Sequence, residues 1–276
     1  AAAETLPGEG QWQIGDHRLQ LDFWPFGHQP PRTVLRRQGV PFWDYLDAAG
    51  IPSTFYGLPS NYPPSPSQYG HHRCLSGMGT PDMLGTFGTY QYFAESGPDP
   101  PRDEGGGLHS ALVFDGDTAK ARLQGPDNDF LVSPQPVVAE FEVHRDKAAD
   151  AALIEVQGSR KILLKTGQWS DWIQLDFVLS TPKPLPAKHV SGICRFYLQS
   201  VSPEFRLYVT PINIDPSAPA VPLSEPPGFV RQVAKQQGLF YTTGFQEDHK
   251  ARSNGVFVDD EFLRQEIRRT IELQER

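Results

Sequence analysis

The residues that could carry chemistry in this 276-residue chain are few and scattered. Asp248-His249, in QEDHKARSNG, has the makings of half a zinc or manganese site in a hydrolase. Catalytic zinc needs three protein ligands and usually supporting carboxylates as well. None of the eight histidines has an Asp four residues before it, and no histidine follows His249. Glu140 does precede His144 at that distance, within VVAEFEVHR. That segment alternates like a strand, where the two share a face, and they read as a surface pair. His71-His72, in YGHHRC, is the other cluster. Adjacent side chains on an extended segment point to opposite sides, so these two are read as a solvated loop beside Arg73 and not as joint ligands. No GxSxG elbow, HExxH, phosphate-binding Gly-rich loop or paired-Cys site is present. Trp169 and Trp172, in GQWSDWIQLDF, could stack a sugar if coplanar, but their opposite parity on a strand turns one to a core and the other to a loop or interdomain contact.

The elements that must position these residues change character along the chain. VPFWDYLDAAG reads as a short helix: Pro41 suits its first position, Phe42, Leu46 and Ala49 share a face, and Gly50 stops it. IPSTF follows as a buried strand. From Leu58 to Gly107 the chain is dense in Pro, Gly, Ser and Tyr, which predicts long ordered loops. Between about Ser110 and Ile212 the period becomes two in ALVFDGD, VVAEFEVHR, AALIEVQG, RKILLKTG, DWIQLDFVL, VSGICRFYLQS and EFRLYVTPI. Seven such strands imply an antiparallel sandwich or barrel. After a Pro-rich connection, a helix is expected over 228–237 with Gly238 as its stop. A second is expected from Asp259, with Asp260 and Glu261 in its first turn and Leu263, Ile267 and Ile271 as a core-packing stripe. The order predicts an α+β or α/β protein with an inserted antiparallel β domain: 1–107 as partial α/β scaffold, 108–212 as the insert, and 213–276 as the return of the scaffold.

Bulk properties narrow the partners. A balance of 25 Lys+Arg against 33 Asp+Glu, net −8 and without a basic block, argues against a nucleic acid polymer or anionic lipid. No apolar run reaches the roughly 18–20 residues of a membrane helix, and AAAETLPGEG lacks the marks of a signal peptide. Cys74 and Cys194, the only cysteines, have no ligand spacing around them. There is no initiator Met, and the helical period of EFLRQEIRRTIELQER runs to the last residue, so both ends read as cut.

Certain strings carry more than composition. RRQGVPFWDYLDAAGIPSTFYGLPSNYPPSPSQYG and LSGMGTPDMLGTFGTYQYF resemble the segment after the nucleophile in larger bacterial and archaeal members of the type I phosphodiesterase/nucleotide pyrophosphatase group, within the alkaline phosphatase superfamily. EFRLYVTPINIDPSAPAVPLSEPPGF, GLFYTTGFQEDHKA and DDEFLRQ are similar to its later landmarks, and GQWSDWIQLDF and ICRFYL to the β block between. The likeness spans about Arg36 to Gln265 and is carried by Gly39–Phe93 and Phe205–Leu263. It implies a partial alkaline-phosphatase-like α/β scaffold, two divalent metals (Zn or Mn) in the complete enzyme, and an Asp with a Thr or Ser nucleophile before this segment. Further ligands are implied after it, as an Asp-x-x-x-His pair, an Asp-His pair and a final His. Asp248-His249 falls where such proteins usually read Glu-Asp-Thr, so the dipeptide is expected to cap a loop or pair with charge, not to bind metal.

The expectation is therefore a central segment of a metal-dependent phosphodiesterase or phosphohydrolase, without catalytic or metal residues or a cofactor of its own. It would shape the pocket for a phosphorylated small molecule, with Asn61, Tyr62, Arg73 and Tyr241 as lining candidates because loop aromatics and a cation suit such a ligand. Two other readings stand beside it: a carbohydrate- or protein-binding β module, and a relative that has lost its metal site and acts as a scaffold.

Overall fold

The computed structural model describes residues 3–6, 12–19, 32–97, 106–244 and 248–258, together with 260, 261, 264 and 267. Strands in several sheets dominate and helices are few. No helix among the described residues is long and apolar enough to cross a membrane.

The alternating segments pair as their period requires. β9 (Phe114–Asp115), β10 (Thr118–Asp127), β11 (Pro136–Asp146), β12 (Ala151–Val156) and β13 (Arg160–Lys165) form an antiparallel meander in the order β13-β12-β11-β10-β9. On β11, Ala139, Phe141 and Val143 are buried while Glu140 and Glu142 point outward to Arg122 (3.3 Å) and Lys120 (3.7 Å). A second sheet runs β14 (Gln168–Trp169), β17 (Phe196–Ser200), β18 (Arg206–Val209), β7 (Tyr90–Ala94) and β8 (Gly107–Ala111). A third joins β15 (Ile173–Leu179), β16 (Lys188–Cys194) and β19 (Asn213–Ile214).

One apolar core unites these three sheets through side chains such as Phe93, Leu123, Phe141, Phe177, Phe196 and Leu207. A Cβ on Gly125 of β10 would enter the Phe177 ring, so glycine is what lets β10 and β15 close on each other. The amide of Gln91 bonds both ways to Gln124, at 2.8 and 2.9 Å, and thereby satisfies a polar group buried between two sheets. The far face of the second sheet carries Tyr90, Tyr92, Tyr197 and Tyr208, covered by Ala251, Val256 and Phe257. Burial on both faces explains why YQYFA does not alternate.

Two features of this block depart from the sequence expectation. β10 is one of its longest strands yet was absent from the seven, because Ala119 and Ala121 give its inward face a weak apolar signal. VSGICRFYLQS is two strands: at Arg195 the chain passes from the third sheet to the second. The partner strand makes the same crossing at Thr210, where Arg195 N donates to Thr210 Oγ1 and Thr210 N to Arg195 O, each at 3.0 Å. β7 belongs to the 1–107 segment, yet both its neighbours are strands of the following block.

The segments on either side of the block meet in a small mixed sheet. β5 (Ser53–Phe55) pairs parallel with β6 (His72–Leu75), and β6 antiparallel with β20 (Ser224–Glu225). α1 (Phe42–Ala48) packs on the face of Phe55 and His72. α2 (Phe229–Gln237), which Gly238 terminates at φ +82° as expected, packs on the opposite face, where Arg73 lies over Phe229. Two small antiparallel pairs complete the strands: β1 (Ala3–Leu6) with β4 (Arg32–Leu35), and β2 (Gln13–Ile14) with β3 (His17–Arg18).

α1 forms where expected but is rotated. The face predicted to be buried holds Phe42, which is 54% exposed, while Trp43 and Asp47 are buried. Asp47 sets this rotation, because its carboxylate accepts from Ser67 Oγ and from the amides of Gln68, Tyr69 and His71, all within 3.0 Å. Of the helix expected from Asp259, Asp259, Leu263 and Ile271 lie outside the described residues. Ile267 is 60% exposed and takes no part in a core. The Glu261 carboxylate accepts from Tyr197 Oη at 2.6 Å and so ties that stretch to β17.

Candidate functional site

A cleft of about 670 Å3 opens between α2, the 75–78 segment that follows β6, and the 240–244 strap. Its size lies within the usual range for small-molecule sites. The floor is a crossing of backbones that only glycine permits. A Cβ on Gly77 would collide with the backbone of Gly57 and Leu58, and one on Gly244 with the backbone of Gly77, Met78 and Gly79. Gly244 N donates to Thr80 O at 3.1 Å, and both the amide and hydroxyl of Thr80 return to Gly77 O.

Asn213, fully buried at the end of the third sheet, holds the strap in place. Its Oδ1 accepts from the amides of Thr242 and Thr243 at 2.8 and 2.9 Å, and its Nδ2 donates to Pro211 O. The β block braces the strap as well, since Trp172 meets Tyr241 edge to face at 4.5 Å. Behind Trp172 the Arg195 guanidinium lies over both Trp172 and Trp169, and Trp169 stacks on Tyr197 at 4.8 Å. The two tryptophans do not share a strand as the parity argument assumed: Trp169 ends β14 and packs on the tyrosine cluster, Trp172 precedes β15 at a contact with the strap, and both lie against Arg195. They do not form an exposed coplanar platform.

Among the described residues the cleft wall carries no charged side chain. Tyr56, Leu75, Met78, Val230, Val233 and Phe240 supply its apolar surface, and hydroxyls and the Gln236 and Gln237 amides its polar edges. Among the described residues no Asp, Glu, Lys, Arg or His lines it. The last turn of α2 ends here, which adds the partial negative charge of a helix C-terminus.

Of the four lining candidates named from sequence, Tyr241 alone lines this cleft. Asn61 is buried and bonds Cys74 Sγ and Ser65, which marks it as a support of the 61–65 turn. Tyr62 is buried beside Gly79, and burial pushes its phenol up against a hydrogen bond with Thr33. Arg73 lies exposed on β6, with its Nη2 3.4 Å from Thr54 Oγ1 and its guanidinium over Phe229. Gly77, Gly244, Asn213 and Val233 were not singled out as site residues. The glycines in GMG and TTG were the available signal, but which backbones they bring together depends on chain crossings far apart in sequence.

The histidines and acids named from sequence for catalytic potential separate in space. His71 is exposed, whereas His72 is buried, with Nε2 facing Ser65 O at 3.3 Å and Nδ1 3.9 Å from Asp47 Oδ2. His72 therefore belongs to the core and not to a solvated loop. His144 bonds Thr118 and meets Glu142 at 3.4 Å, while Glu140 turns to Arg122. Asp248 and His249 open the short helix α3 (Asp248–Ser253), and their side chains lie outside the described residues. Among the described residues no three of His, Cys, Asp and Glu gather as a metal site would require. Both cysteines are buried and their thiols are pushed up by that burial, so neither has the character of a nucleophile.

Searches of family models, curated proteins and solved structures return no match to this chain.

Proposed function

We propose that this chain is the central part of a metal-dependent phosphodiesterase of the alkaline phosphatase superfamily, carrying a piece of its α/β scaffold and an inserted β domain. One observation supports the reading above others. Residues 42–75 and 224–237, which flank the β block in sequence, return to one mixed sheet with a helix on each face. A parallel pair covered on both faces is characteristic of α/β scaffolds, and two flanks closing over an intervening block is how an insertion is built. In this reading the metals and nucleophile come from residues on either side of the chain, and the cleft beside Tyr241 forms a wall of the substrate pocket. The bound metals would stabilise the attacking and leaving oxygens of the ester.

The test compares this chain with the complete protein. Each is incubated with Zn2+ or Mn2+ and desalted, and metal content and hydrolysis of bis(p-nitrophenyl) phosphate are then measured. The expected result is roughly two metals per chain with turnover in the complete protein, and neither in the chain alone. Turnover with two metals in the chain alone would overturn the division of labour. Failure of the complete protein to cleave any phosphodiester would overturn the family reading.

A further inference from the structure

We infer that Asp16, His17 and Ser180 form a nucleophilic serine site that takes the acyl group of a small, neutral carboxylic ester and passes it to water. The inference goes beyond the reading above: the site uses none of the metals proposed there and shares no residue with the cleft beside Tyr241.

Three segments build the site. The hairpin of β2 and β3 turns through Gly15, at φ +60°, and docks on the 128–132 loop. Arg18 N donates to Phe130 O at 2.6 Å, Val132 N to Asp16 O at 2.8 Å, and Arg18 Nη2 to Val132 O at 3.0 Å. Ser180 follows β15 and is held to the same loop by Asn128, which is buried. His17 and Ser180 therefore meet although 163 residues separate them.

The hydrogen bonds fix where the protons lie. Asp16 Oδ1 is 2.7 Å from His17 Nδ1. A carboxylate only accepts, so Nδ1 carries the hydrogen and Nε2 of the neutral ring offers a lone pair. Ser180 Oγ stands 3.1 Å from that Nε2. Asn128 sets the direction of the hydroxyl. Its Oδ1 accepts from Phe130 N at 3.1 Å, which turns Nδ2 to donate to Ser180 Oγ at 2.9 Å and Ser180 O at 3.1 Å. With a donor already on its lone pair, the hydroxyl points its own hydrogen at His17. Nucleophile, base and the acid that orients the base stand as acyl transfer requires.

In the reaction the Ser180 Oγ–H bond breaks, its proton passes to His17 Nε2, and Oγ bonds to the acyl carbon. The alcohol of the ester leaves with the proton from Nε2. Water then attacks the acyl-serine by the same path, which releases the carboxylic acid and restores the hydroxyl. Ser180 is exposed while the His17 side chain is only 19% exposed, so an ester reaches a nucleophile whose base is held by the fold. Asp127 and Asp129 flank Asn128 and, with Asp16, place negative charge near the serine. An anionic phosphodiester is repelled there, and a neutral ester is not.

The experiment treats the chain, without added metal, with diisopropyl fluorophosphate, a neutral reagent that stops at the covalent serine, and maps the adduct by peptide mass. A single adduct at Ser180 is expected, with none in Ser180→Ala. His17→Ala should slow the labelling by about 100-fold or more, the usual contribution of a general base. p-Nitrophenyl acetate should be turned over by the unaltered chain and left at the buffer rate by Ser180→Ala. Asp16 is a positioning residue, and nitrogen-15 NMR of His17 reads its effect: the neutral ring should carry its hydrogen on Nδ1, and Asp16→Ala should shift it towards Nε2.

No adduct at Ser180, or labelling at an unchanged rate in a folded His17→Ala, would overturn the nucleophile. Labelling without turnover of the acetate would overturn transfer to water. A neutral His17 with its hydrogen on Nε2 in the unaltered chain would overturn the proton path, whether or not the variants fold.

Discussion

Asp47 is a charged side chain placed where an apolar one would be expected. Burial alone would raise its carboxyl, but hydrogen bonds from Tyr69, Ser67, His71 and Gln68 outweigh that and hold it at about 2 instead of 3.8. A carboxyl lowered on folding stabilises the native state in full above its unfolded value, and that stabilisation is lost as pH falls towards the folded one. Asp47→Asn should therefore lower the melting temperature at pH 7, and the gap to the unaltered protein should close as pH falls from 3.8 to about 2. A constant gap across that range, in melts followed by circular dichroism, would show that the charge contributes nothing. The glycines make a second test at this scale. Gly244→Ala drives a Cβ into backbone that no rotamer change can clear, and should cost about 1–3 kcal/mol in urea unfolding. Gly228→Ala meets nothing within 4 Å at a backbone angle open to alanine, and should be neutral or stabilise by about 0.5 kcal/mol.

Among the elements, strands with strong alternation were legible and those with small or split faces were not. IQLDFVL reads correctly because Ile173, Leu175, Phe177 and Leu179 all turn inward. TAKARLQGPD was missed because its inward side is mostly alanine, and what places it is Leu123 together with the room that Gly125 leaves for Phe177. Phe177→Ala should then destabilise by about 3–5 kcal/mol, since the ring fills the gap between two sheets and little nearby can collapse into it. A loss under 1 kcal/mol would mean that the sheets close without it. The helices show the same division. The ends of α2 were readable from Gly238, but the rotation of α1 was not, because the donors that capture Asp47 lie some twenty residues further along the chain.

For the molecule as a whole, the β block and its flanks are less separable than their sequences suggest. β7 takes one neighbour, β8, across the 107/108 boundary and the other, β18, from deep within the block. Excision of residues 108–212 would leave Tyr90–Ala94 without pairing and the tyrosine cluster without Tyr197 and Tyr208. The excised protein should lose its cooperative melt and aggregate. A soluble product with a sharp transition would show that the flanks fold independently of β7.

The sequence by itself determined the period-two block, the positions of α1 and α2, the opposite facing of His71 and His72, and a net acidic balance without a basic block. These follow from periodicity, helix stops and net charge, which act over a few residues or over the whole composition. Only the tertiary structure decided that Asn61 and Tyr62 are supports while Tyr241 faces a cleft, and that Gly77 and Gly244 touch. It also decided that Asn213 holds the strap. These outcomes depend on segments separated along the chain meeting in one place, by 13 residues at Asn61 and Cys74, 29 at Asn213 and Thr242, and more than a hundred at Gly77 and Gly244, and no local pattern encodes which of them will meet.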